Sequence, residues 1–272
     1  MRERQIEAKA TRADYLIELF RARELFYFFA WRDLLVRYKQ AFFGIAWALF
    51  RPLMAMALFT LIFSQMAHFE SAGVPYPLFA LAGMLPWMLF SSSLSETAVS
   101  LINHPSLLSR VYFPRMILPA SQVLVQLADF LVALVLLLGL MLVWGGALPL
   151  SFALLPLLVV LALLLCLGCG LIVSALTLKY RDVRHTIPFF IQLGIYLSPV
   201  GYGSFMIPEA WRSLYFLNPM AGIIEGFRAA LFGVVPPYLF EALSMSIAIT
   251  LGLLVCGFCY FQRCERQMGD DI

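Results

Sequence analysis

The sequence predicts an all-α membrane protein. It has six transmembrane helices, an N-terminal amphipathic interface helix, and short re-entrant outer helices between helices five and six. Three observations lead there. Hydrophobic residues make up 62% of the 272 residues and charged residues 13%, with a mean hydropathy of +0.88; a soluble domain is nearer half apolar and a quarter charged, so this chain is composed for lipid. Six apolar stretches come near the roughly 20 residues that a helix needs to cross a hydrocarbon core. Lys and Arg fall almost entirely into the segments on one side of those stretches.

Residues 1–41 form the first region, charged and without a clean apolar h-region before an A-x-A site, so a cleavable signal peptide is not expected. Within it Tyr27, Phe28, Trp31, Leu34, Leu35 and Tyr38 recur at helical spacing, while Arg32, Asp33 and Arg37 lie off that stripe. Such a helix fits flat in the membrane interface; a soluble helix packed on a partner is the alternative. The six spans then run Phe42–Met66, Tyr76–Leu101, Ile117–Val143, Leu150–Leu178, Thr186–Ser204 and Tyr238–Phe261, within a membrane domain of residues 42–262 and ahead of a tail of residues 263–272. Between the fifth and sixth spans, residues 205–237 are too long for a turn and too apolar for a free loop. Asn218 suits an N-cap, Pro219 the first helical position, and Gly233 the end of the helix, with Ile223, Phe227 and Leu231 on one face.

Orientation follows from charge. Sixteen Lys and Arg lie in residues 1–41, the 102–116 and 179–185 loops and the tail; the opposite segments hold Arg212 and Arg228. By the positive-inside rule both termini are cytoplasmic. A net charge of +3 is too small to argue for nucleic acid.

Enzyme constellations are not found. There is no G-x-x-x-x-G-K-[ST], H-E-x-x-H or G-x-S-x-G, and His68, His104 and His185 stand in separate loops or at span ends. Cys166, Cys169, Cys256 and Cys259 form two C-x-x-C pairs, but inside apolar runs where thiolates are costly. They read as small packing residues, and Cys166, Gly170 and Ser174 make a small-residue face for close helix contact.

Polar groups inside the spans are the candidates for chemistry, since each needs a partner or water. Arg51 and Glu96 fall at matching depth and invite a pair, with snorkelling of Arg51 to the headgroups the alternative. Asp129 shares a face with Gln122 and Gln126, a stripe that Ser91, Ser92, Ser93 or Ser95 would satisfy. Phe43, Trp47 and Phe50 on span one, with Gln192 and Tyr196 on span five, offer rings and polar tips that suit a sugar; core packing explains the same rings without a ligand. The loop containing His104, Pro105, Leu107, Leu108, Arg110 and Tyr112 is larger than a turn requires and mixes apolar with basic groups. It suits docking into a groove on a cytoplasmic partner.

Six segments in order then carry a resemblance: Arg32-Asp33-Leu34 with Arg37-Tyr38-Lys39-Gln40; Gly44-Ile45-Ala46-Trp47 with Pro52; Ala82-Gly83-Met84-Leu85-Pro86-Trp87; Val111-Tyr112-Phe113-Pro114-Arg115; Tyr180-Arg181-Asp182-Val183-Arg184; and Leu217-Asn218-Pro219-Met220-Ala221-Gly222 through Glu225-Gly226-Phe227-Arg228. From about residue 22 to the end the chain resembles the ABC-2-type permeases of polysaccharide exporters, which serve O-antigen, capsule and teichoic-acid chains. The resemblance implies a homodimer in the inner membrane with two separately encoded ATPase subunits. These hold ATP and Mg, and this chain binds no cofactor and catalyses nothing. It implies that the 103–115 loop couples to the ATPase, with Arg181 and Asp182 a second contact. It implies that spans one and five line the path for a lipid-linked or large glycan, and that 205–233, with Asn218, Pro219, Glu225 and Arg228, forms the outer gate. An ABC-2 exporter of small hydrophobic compounds, or a membrane enzyme acting on lipid-linked sugars, remain the alternatives.

Overall fold

In the computed structural model, residues 12–39, 45–66, 71, 73–103, 113–180 and 182–270 are described, and among them every regular element is a helix. In chain order these are α1 (Arg12–Arg21), α2 (Arg23–Lys39), α3 (Ile45–Phe59) continued by a π-helical segment (Thr60–Met66), α4 (Tyr76–Val99), α5 (Ile117–Val143), α6 (Leu155–Lys179), α7 (Val183–Leu197), α8 (Glu209–Tyr215), α9 (Pro219–Phe232) and α10 (Leu239–Asp270); single 3-10 turns cover Leu150–Leu154 and Ser204–Met206.

Five of these helical stretches are long and apolar enough to cross a membrane: Ala46–Ser64, Tyr76–Val99, Ile117–Val143, Leu150–Lys179 and Leu239–Gln267. Thr186–Ser204, read from the sequence as a span, does not form one helix. α7 stops at Leu197 after 15 residues, and the chain turns through 198–203. A 15-residue helix rises about 22 Å, less than the ~30 Å hydrocarbon core. The last span runs longer than its apolar pattern, because α10 continues nine residues past Phe261 to Asp270.

α4 is the centre of the bundle. Of its most apolar window 72% is buried, against 6% for α3. Leu78, Leu81, Leu85 and Leu89 of α4 meet Val123, Phe130 and Leu137 of α5, Leu158, Leu165 and Cys166 of α6, and Ile223, Phe227 and Leu231 of α9 in one apolar core. Small residues set the closest approaches. A side chain at Gly168 would meet the backbone nitrogen of Leu254 at 2.8 Å, and one at Gly257 would strike the Gly168 carbonyl, so α6 and α10 cross almost backbone to backbone. The face of Cys166, Gly170 and Ser174 is buried as its spacing suggested; Gly170 lies where a side chain would meet Thr97 Oγ1 of α4 at 2.8 Å.

α9 forms as its end signals indicate. The Asn218 side chain accepts from the Met220 amide at 3.1 Å, Pro219 occupies the first turn, and Gly233 takes the left-handed conformation (φ 73°) that closes the helix. Its residues Met220–Leu231 are all buried.

Candidate functional site

Most of the aromatic stripe of α2 turns away from the bundle. Tyr27, Phe28, Trp31 and Leu35 are exposed, whereas Phe29, Asp33 and Arg37, at i, i+4 and i+8, face the protein. Phe29 packs beside Phe113, with ring centroids 5.8 Å apart. Below it the polar groups engage the polar stripe of α5. Asp33 Oδ2 accepts from Gln122 Nε2 at 2.6 Å. Arg37 Nη1 donates to Gln126 Oε1 at 2.9 Å and to Asp129 Oδ2 at 2.8 Å, and its Nη2 reaches Glu96 Oε1 of α4 at 3.5 Å. The Tyr38 hydroxyl donates to Asp129 Oδ1. Burial and then the Asp129 carboxylate push the Tyr38 hydroxyl well above the usual phenol range, so it remains a donor.

Two expectations change here. Glu96 pairs with Arg37 rather than with Arg51, whose guanidinium stands over the Trp47 ring at 5.7 Å. Asp129 is met by α2 rather than by serines, because Ser91 and Ser95 donate to carbonyls of their own helix, Met88 and Ser91. The physical reason is donor strength: a guanidinium and a phenol offer a carboxylate charge-assisted bonds that helix-bound hydroxyls do not.

A cavity of about 350 Å³ opens beside this cluster. Arg37, Tyr38, Trp47, Arg51, Glu96 and Asp129 give it a polar end; Leu85, Met88, Phe130 and Ala133 line the rest. Of the expected path residues Trp47 alone lines it among those described. Phe50 stacks on Trp47 at 5.4 Å and is exposed, and Gln192 and Tyr196 lie on the exposed face of α7. Phe43 lies outside the described residues, as do His104, Pro105, Leu107, Leu108, Arg110, Tyr112 and Arg181. Asp182 immediately precedes α7 and its carbonyl accepts from Thr186 Oγ1 at 3.0 Å.

The second polar centre is buried at the other end of α4. Arg228 Nη1 donates to the Tyr202 carbonyl at 2.9 Å and Nη2 to that of Val200 at 2.8 Å, and the guanidinium lies 3.6 Å from the Phe79 ring centroid. Glu225 Oε1 is 3.3 Å from Arg228 Nη1 and accepts from both the amide and the hydroxyl of Ser204 at 2.9 Å. Gly83 makes room: a side chain there would meet Arg228 Nη2 at 2.6 Å and the Val200 carbonyl at 2.7 Å. The pair therefore ties the 198–204 segment to α4 and α9, with its charges paired and hydrogen-bonded. Asn218 joins the same segment, donating to the Leu197 carbonyl at 3.1 Å and Ser198 Oγ at 2.9 Å.

Sequence reasoning named Glu96, Asp129, Glu225 and Arg228 but gave Arg37, Tyr38 and Asp33 no partners. The available signal was the match between Asp33 and Arg37 on one helix and Gln122, Gln126 and Asp129 at i, i+4 and i+7 on another.

The profile of the ABC-2 type transporter family matches residues 24–232. The chain is 29% identical over 258 residues to the O-antigen export system permease protein RfbA of Myxococcus xanthus, covering 94% of this chain and 98% of that one. It is 28% identical over 240 residues to RfbA of Klebsiella pneumoniae, covering 88% and 91%. It is 23% identical over 244 residues to the polysialic acid transport protein KpsM of Escherichia coli, covering 87% and 92%.

Proposed function

This chain belongs to the ABC-2 type transporter family, and from that premise we propose that it is the permease subunit of an ATP-driven exporter that moves a lipid-linked or large polysaccharide across the inner membrane. The observation that carries the reading is the end-to-end similarity to permeases named for O-antigen and polysialic acid export, which takes in 87–94% of this chain and 91–98% of theirs. ATP hydrolysis is assigned to two separate ATPase subunits, with ATP and Mg bound there, and the permease acts as a homodimer.

In this reading α7, about 22 Å long, makes the fifth of six crossings together with the turning segment 198–203 that follows it. Both termini are cytoplasmic. α2 lies at the inner interface, with Tyr27, Phe28, Trp31 and Leu35 turned to lipid headgroups or to the partner subunit, and α8 and α9 dip into the outer leaflet. The 103–115 loop and 179–185 receive the ATPase stroke. The cluster of Arg37, Glu96, Gln126 and Asp129 then holds α2 against α5 beside the inner mouth of the path, and the buried Glu225–Arg228 pair holds the outer segment. The exposed faces of α3 and α7, carrying Trp47, Phe50, Gln192 and Tyr196, are the surfaces offered to a glycan once two copies meet.

The experiment is deletion of the gene with complementation. The expected result is loss of one surface polysaccharide with accumulation of that glycan inside the cell, restored by the intact chain. Normal surface glycan with new sensitivity to hydrophobic drugs would assign a small-molecule exporter instead.

A further inference from the structure

Two ends of one loop, the N-terminal helices and the last helix meet at a single apolar cluster. Leu101 leaves α4 there, Phe113, Met116 and Ile117 lead into α5, Phe29 comes from α2, and Phe261 and Cys264 come from α10. One carboxylate stitches this junction. Glu265 Oε1 accepts from the Arg115 backbone amide at 2.7 Å, just ahead of α5, and its Oε2 accepts from the Tyr15 hydroxyl of α1 at 2.5 Å. Tyr15 also sets its ring edge-on to Phe258 of α10, with centroids 6.1 Å apart. Arg115 stands one residue ahead of the α5 N-cap Met116, where an acceptor also suits the partial positive charge of the helix start. Burial and the adjacent carboxylate push the Tyr15 hydroxyl far above the ordinary phenol range, which keeps it protonated and donating.

We propose that Glu265 is a positioning residue for transport. It fastens the returning end of the 103–115 loop to α1 and to the end of α10, so that a displacement of the loop carries these three elements as one body. The inference rests on the reading of that loop as the ATPase contact. Without the clamp, the loop end is linked to α1 and α10 through the remaining contacts of the apolar junction, and part of the stroke is spent locally. The apolar cluster alone resists separation poorly in shear, because apolar contacts are non-directional, whereas two short charge-assisted hydrogen bonds fix direction as well as distance.

The test uses the permease with its ATPase subunits in proteoliposomes, reading glycan exported per ATP hydrolysed. Glu265→Ala is expected to keep ATP hydrolysis while glycan per ATP falls about tenfold or more, the scale of losing hydrogen bonds to a charged group. Glu265→Gln should recover part of the ratio, since its amide oxygen still accepts from the Arg115 amide and its amide nitrogen can donate to the Tyr15 oxygen, but without the charge. Tyr15→Phe, which removes one bond and keeps the ring, should fall between wild type and Glu265→Ala, and it serves as the decisive variant if Glu265→Ala does not assemble. An unchanged glycan-per-ATP ratio in Glu265→Ala, or in Tyr15→Phe if that variant decides, overturns the clamp. So does a parallel fall of hydrolysis and export, the signature of a merely structural role. Leu107→Asp/Leu108→Asp separates the two levels: if it uncouples and Glu265→Ala does not, the clamp alone fails; if it leaves coupling intact, the reading of the loop fails and takes the clamp with it.

Discussion

Arg37 and Arg228 are two arginines under different physical regimes. The Arg37 and Asp129 side chains keep 30% and 31% of their exposure, so their mutual attraction is screened; a double-mutant cycle with Arg37→Ala and Asp129→Asn should return a coupling of about 1 kcal/mol or less in detergent unfolding. Their importance is geometric, and Arg37→Ala should reduce glycan export well before it reduces membrane abundance, as surface-glycan blots beside permease immunoblots would record. Arg228 is buried against Glu225 at 3.3 Å. Arg228→Leu leaves that carboxylate without its counter-charge and three carbonyl contacts unmet, at about 3–5 kcal/mol. The melting temperature should therefore drop far more for Arg228→Leu than for Arg37→Ala, and equal shifts would contradict this division. Of the two centres, the outer pair sits three residues apart on one helix and its proximity was readable from spacing. The inner one joins positions 59 to 92 residues apart, and helical periodicity carries no information about which distant face a polar stripe will meet.

At the scale of elements, the long spans were legible because each is one apolar run with a helix inside it, and α9 because Asn218, Pro219 and Gly233 are local end signals. Asn218→Ala should cost about 1 kcal/mol by removing the cap to the Met220 amide, and it should also loosen 197–198, which its side-chain nitrogen holds; limited proteolysis between residues 198 and 208 is the check. α7 was read too long because apolar residues continue past Leu197 although the helix does not: the chain turns at Ser198-Pro199, and Arg228 and Glu225 take up the backbone groups of 200–204. A hydropathy pattern counts residues and does not register such a capture. α2 was legible as a helix but not in its seating, since Phe29, Asp33, Arg37 and Tyr38 turn inward while Tyr27, Phe28, Trp31 and Leu35 face out. Crossings built on glycine admit a sharp check. Gly257→Val would drive a branched side chain into the Gly168 carbonyl, and the strain of separating α6 from α10, of about 1–3 kcal/mol, should appear as reduced assembled permease on native gels.

At the scale of the molecule, α4 is sheathed by α3, α5, α6, α7 and α9, while α3 and α7 keep aromatic faces uncovered. A bundle with such faces suits assembly in lipid. Sixteen of the basic residues lie in the N-terminal region, two loops and the tail, the side that the proposed reading puts in the cytoplasm. The chain combines a family membership spanning residues 24–232, a polar clasp on α2 and a buried pair on α9. In the proposed function this chain conducts a glycan at the expense of ATP hydrolysed by a companion. Inside-out membrane vesicles carrying the chain, its ATPase and the cell's lipid-linked glycan measure that directly. With ATP the glycan should become protected from an added glycosidase, and protection should vanish with a non-hydrolysable analogue or in vesicles lacking this chain. Protection that is independent of ATP, or undiminished without the chain, would contradict the account.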